Sequence, residues 1–188
     1  CDKFSNPEWI ASDLIAQAEH DNLAQCILIS KDKSLVIKVN KEINNQLKDL
    51  PRITTANSSL IKNGILIYMQ SNQKIIDTIN KIAPEHLELN IKNYKNIINK
   101  IINGGSIFLG KYSTEAFGDY VAGTNHILPT SGAAKFSSGL GVIDFMKKTS
   151  LVEMNELSFD NLSKHVENIA EVENLDAHKL SVTIRQTK

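Results

Sequence analysis

Four short stretches of this 188-residue chain concentrate side chains able to bind a metal ion or move a proton. QAEH carries Gln17 and His20, three residues apart, a spacing that puts both on one face of a helix and within reach of one ion. PEHLEL carries Glu85 beside His86, a carboxylate and an imidazole suited to paired acid–base work. In an extended segment such neighbours point to opposite faces, so they would act on a substrate from different sides or at a bend. GDYVAGTNHILPT, from Gly118 to Thr130, carries Asp119, a hard oxygen ligand, and His126, a neutral nitrogen donor. Gly118 and Gly123 within it permit turns that other residues resist. VENLDAHKL carries Glu173 and His178, five residues apart and so on different faces of a continuous helix. Asp176 is a good N-cap, and a helix starting there holds His178 in its first turn. The positive helix end disfavours imidazolium, and neutral imidazole is the metal-binding form. Each stretch alone also has a structural reading: a solvated helix end, a polar strand start, an Asx-turn with a core histidine. His165 fits none of these patterns and reads as a surface helical residue.

The elements that must position these residues alternate. Helical periodicity runs over Pro7 to His20, Ser34 to Leu50, Ser71 to Ala83 and the YKNIINKIIN segment. Short apolar runs at Cys26–Ser30, Gly64–Met69 and Ser106–Gly110 mark buried strands, and His86–Ile91 alternates. This order predicts an α/β fold with a parallel, Rossmann-like but incomplete sheet and helices on both faces. Ile27, Ile29, Ile65, Ile67, Ile107 and Leu109 are its expected core. GDYVAGTNHILPT follows the last buried strand, at the edge where such sheets bind ligands. SGAAKFSSGLGV then breaks the pattern, and a small helical domain is expected over 141–188, after a partial α/β domain over 1–140.

Composition narrows the function classes. Lys+Arg and Asp+Glu are both 21, so neither nucleic acid nor an anionic membrane is an expected partner. No apolar run is long enough to span a membrane, and the polar start CDKFSNPEW has no secretory core, so a cytoplasmic location is expected. Cys1 and Cys26 form neither a disulfide framework nor a zinc knuckle and read as free thiols.

Taken in order, QAEH, PEHLEL, GSIFLG with GDYVAGTNHILPT, and AHK near the carboxyl end resemble the histidinol dehydrogenase family over nearly the whole chain from Pro7. The resemblance implies an NAD-dependent oxidoreductase of histidine biosynthesis. It would take L-histidinol to L-histidine in two oxidations through the aldehyde histidinal. It implies a zinc ion on Gln17, His20, Asp119 and His178, which also contact the substrate. Glu85 and His86 would be the catalytic pair, with His86 again a substrate contact, and His126 and Glu173 further substrate-binding residues. It further implies a homodimer whose helical tail crosses to the partner, so that His178 and Glu173 meet Asp119 only between subunits. Family members are longer than this chain. The upstream region would hold the NAD site and a substrate-contacting serine, no GxGxxG turn occurs here, and the chain reads as a carboxyl-terminal fragment with no cofactor-binding residue of its own. A zinc-dependent hydrolase and a non-catalytic remnant are the rival readings; the presence of every motif residue disfavours the remnant.

Overall fold

Local chemistry starts most of the helices. Asn6 accepts from the Glu8 amide and Pro7 occupies the first turn of α1 (Pro7–Ala18). Asp32 accepts from the Ser34 and Leu35 amides to open α2 (Lys33–Gln46), and Ser71 accepts from Lys74 to open α4 (Asn72–Ile82). Between them lie β1 (Ile27–Ser30), α3 (Ile53–Asn63) and β2 (Ile65–Tyr68). β3 (His86–Leu89), β4 (Ser106–Leu109) and α5 (Glu115–Tyr120) follow, and the chain closes with α6 (Glu156–Val172) and α7 (Asp176–Gln186). The computed structural model describes residues 1–186.

The strands are all parallel but form two pairs rather than one sheet. β1 pairs with β2, Ile27 opposite Ile65, and β3 pairs with β4, His86 opposite Ser106. One core fills the space between α1, α2, α3 and β1, with Ile10, Ile15, Leu28, Leu35, Val39 and Ile43 buried in it. A smaller one gathers Ile79, Leu89 and Ile101. The strand residues expected in the core are not fully buried in this chain. Ile65 and Leu109 are 43% and 38% exposed, and Ile27, Ile29, Ile67 and Ile107 are half-buried. Leu28 and Ser30 of β1, Leu89 of β3 and Phe108 of β4 are the buried strand residues instead. These runs are apolar on both faces, and only helix placement decides which face is covered.

Other departures have local causes. α3 lies outside the helical periodicity expected of the sequence, because its Thr, Ser and Asn residues are weak helix formers and it buries only Ala56 and Ser59. YKNIINKIIN forms two 3-10 turns, Tyr94–Asn96 and Ile98–Lys100, instead of an α-helix. Its asparagines compete with helical hydrogen bonding, and Asn80 of α4 takes over its end. The Asn80 side chain donates to the Lys100 carbonyl and accepts from the Ile102 and Asn103 amides. α2 stops at Gln46 and hands over to a 3-10 turn, Leu47–Asp49. β3 ends at Leu89.

The chain divides into two compact units, Cys1–Phe145 and Met146–Lys188. The second is the α6–α7 hairpin, turned by Asn174 at φ +56° and tied by a 2.8 Å Lys179–Glu171 ion pair. Its α6 buries only Ser163 and Ala170 and exposes Leu162, Val166, Ile169 and Val172. Among the described residues no helix is long and apolar enough to cross a membrane.

Candidate active site

Three elements of the first unit converge on His86. The residue opens β3, where the chain leaves the left-handed Ala83 and passes Pro84. The Glu85 carbonyl accepts from the Ser106 amide at 2.8 Å, and a Cβ on Gly105 would stand 2.6 Å from that oxygen, so glycine is required for the approach of β4. α5 lies against β4 just as tightly: a Cβ on Gly118 would stand 2.6 Å from the Phe108 ring. That contact sets the depth of Glu115 and Asp119, one helical turn apart on α5. α1 supplies Gln17 in its last turn. His20 lies beyond the helix end, past the Glu19 cap, not on the helical face expected of it. It still reaches the same place.

Ligand atoms of His20, Glu115 and Asp119 all lie within 4.8 Å of one another. His86 Nδ1 is 3.6 Å from Glu115 Oε1 and Nε2 is 3.9 Å from Asp119 Oδ1, both too long for hydrogen bonds. His86 Nε2 is thus a buried nitrogen with no hydrogen-bond partner. The Gln17 amide, turned with its nitrogen toward Glu115, donates to both carboxylate oxygens at 2.7 and 3.0 Å. An opening of about 920 Å³ is lined by Asp13, Gln17, Glu85, His86, Glu88 and Glu115 among others.

The electrostatics are those of crowded acids. Burial, then the charges of Asp119, Glu85 and Asp13, push the Glu115 carboxyl up to about 7. Burial, then Asp13, pushes Glu88 up to about 8, and burial also raises Asp13. Burial lowers His86, against the opposing pull of Glu85 and Asp119, and so favours its neutral form. An imidazole with several carboxylates is a nitrogen–oxygen donor set that suits a divalent transition metal such as zinc, whose charge would relieve the crowding.

Gln17, His20, His86 and Asp119 are therefore brought together, with Glu85 preceding His86 in the chain. His126 sits on the exposed loop after α5, where Asn125 accepts from the Ile127 amide at 2.7 Å. Among the described residues no hydrogen bond or ion pair joins His126 to the cluster. Glu173 caps the end of α6, and His178 is exposed in the first turn of α7, both in the second unit. Glu115 escaped sequence reasoning. Its signal was the four-residue spacing to Asp119, which places both on one face only once that segment is known to be helical.

The family model for histidinol dehydrogenase matches residues 1–186. The histidinol dehydrogenase of Pelagibacter ubique is 60% identical over 185 residues, which are 98% of this chain and 43% of the relative. That of Listeria monocytogenes is 46% identical over 184 residues, again 98% of this chain and 43% of the relative. The crystal structure of histidinol dehydrogenase from Elizabethkingia anophelis superposes with a TM-score of 0.93 at 39% identity, covering 99% of this chain and 43% of that one. The chain thus spans less than half the length of the relatives it matches. The family model spans residues 1–186 and the fold agrees with it, and the chain belongs to the histidinol dehydrogenase family.

Proposed function

We propose that this chain is the carboxyl-terminal part of a cytoplasmic, homodimeric enzyme that oxidises L-histidinol to L-histidine through histidinal. The observation that carries the reading is His86 Nε2: buried, without a partner, on an imidazole held neutral beside the His20, Glu115 and Asp119 cluster. Such a nitrogen is a base awaiting a donor. Gln17, His20 and Asp119 would hold zinc, with His178 of the partner subunit as the fourth ligand. When bound, zinc would supply the charge that holds the substrate's imidazole and amine, and NAD the acceptor for the hydride lost in each oxidation. No residue of this chain is assigned to NAD.

His86 accepts the alcohol proton at Nε2 in the first oxidation. Glu85 helps remove a proton from the water that adds to the aldehyde, and His86 serves again in the second. His126 and Glu173 bind the substrate, Glu173 from the partner's tail. The exposed apolar face of α6 supports a tail that docks on another subunit, since a two-helix hairpin buries too little by itself. The two strand pairs would be parts of one Rossmann-like sheet completed by upstream strands.

A full-length version, this chain joined to the upstream part of the Pelagibacter ubique relative, tests the reading. It should contain zinc and form NADH from histidinol, whereas the 188-residue chain alone should form none. NADH formation by the isolated chain would place the cofactor site wrongly.

A further inference from the structure

Two acidic side chains outside the proposed ligand set lie between the elements that carry it. The carboxyls of Asp13 on α1 and Glu88 on β3 face each other, close enough to hydrogen-bond when one of them carries a proton. Glu88 Oε1 also accepts the Glu115 amide at 2.9 Å, the first residue of α5. Each partner stands at a fixed repeat from a site residue. Asp13 is four residues before Gln17 on α1, one helical turn. Glu88 is two residues after His86 on β3, and so on the same strand face. Glu115 is four residues before Asp119 on α5.

We propose that the Asp13–Glu88 pair is a positioning device that bolts α1, β3 and α5 together and so sets where Gln17, His20 and Asp119 stand relative to His86. This rests on the reading that these residues hold zinc. The geometry favours it over a merely tolerated pair of buried acids, because one carboxylate, Glu88, accepts from the first amide of α5 while facing Asp13 of α1. The bonds carry the role, not the charge: in Glu88→Gln the amide oxygen can still accept from the Glu115 N–H while its nitrogen donates to Asp13, and in Asp13→Asn the amide nitrogen can donate to Glu88.

The full-length version, its Glu88→Gln, Asp13→Asn, Asp13→Leu and Glu88→Leu variants are compared for zinc Kd by chelator competition, for kcat and KM, and for Tm. Removing partners that orient metal ligands typically weakens binding about 10–100-fold. Glu88→Leu should show a loss of that size with a lowered kcat, while Glu88→Gln and Asp13→Asn stay within about twofold of the parent. A residue that only stabilised the fold would lower Tm and leave zinc Kd alone. If Glu88→Leu does not fold, Asp13→Leu, which spares the bond to Glu115, is read in its place and should also weaken zinc. A folded leucine variant with parental zinc Kd, or a Glu88→Gln loss as large as that of Glu88→Leu, overturns the proposal. Failure of the parent itself to take up zinc overturns the underlying metal reading instead.

Discussion

Glu115→Gln should make the metal-free chain more stable, and increasingly so as the pH rises from 5 to 8. The Glu115 side chain is only 14% exposed, and its carboxyl is raised from 4.5 to about 7. A folded state with a raised acid pKa holds a proton that the unfolded state has already released. The group's favourable contribution is therefore complete below pH 4.5 and is lost as pH climbs to about 7. That interval, at about 1.4 kcal/mol per pH unit, amounts to about 3 kcal/mol at pH 8. Glutamine carries no charge at any of these pH values and keeps an acceptor for Gln17. Urea unfolding of parent and variant in the presence of a chelator, at pH 5, 6, 7 and 8, reads the difference directly. Glu88, Asp13 and His86 also titrate, but they are present in both proteins and cancel to first order. A stability difference that stays flat across this range, or shrinks as pH rises, refutes the argument that buried acid crowding governs Glu115.

Three further outcomes are expected. In the full-length version His86→Ala should cut kcat by about 10²-fold or more, the scale of a lost general base, with little change in zinc Kd; equal loss of both would make His86 a ligand. Asp119→Ala and His178→Ala subunits, each inactive alone, should regain activity when mixed, since each heterodimer rebuilds one site; no recovery from proven heterodimers would put all ligands in one chain. Gly118→Ala must push its new methyl against the Phe108 ring, so urea unfolding should show a loss of about 1–3 kcal/mol, whereas parental stability would mean that α5 can lift off β4 freely.

The chemistry-bearing residue types and the parallel α/β pattern were legible in the chain because both are local properties. Apolar runs at 27–30, 65–68 and 106–109 have strand length, and Ser71 with its following amides announces a helix start. The motif residues were likewise legible by type and spacing. What resisted reading depends on contacts distant in sequence. YKNIINKIIN has helical spacing, yet Asn80, some twenty residues upstream, captures its backbone. Ile27 and Leu28 are both apolar, and only the seating of α1 and α2 selects Leu28 for burial. Glu115 is an unremarked acid until Gly118 lets α5 settle on Phe108 and bring it beside Gln17 and His86. Its proton affinity, like the unpartnered His86 Nε2, comes from desolvation and neighbouring charge, which exist only once α1, β3 and α5 meet. The sequence by itself thus determined which groups are available and which elements carry them. The tertiary structure decided which groups face one another and in what protonation state, because burial and distance, unlike periodicity, are not properties of any single segment.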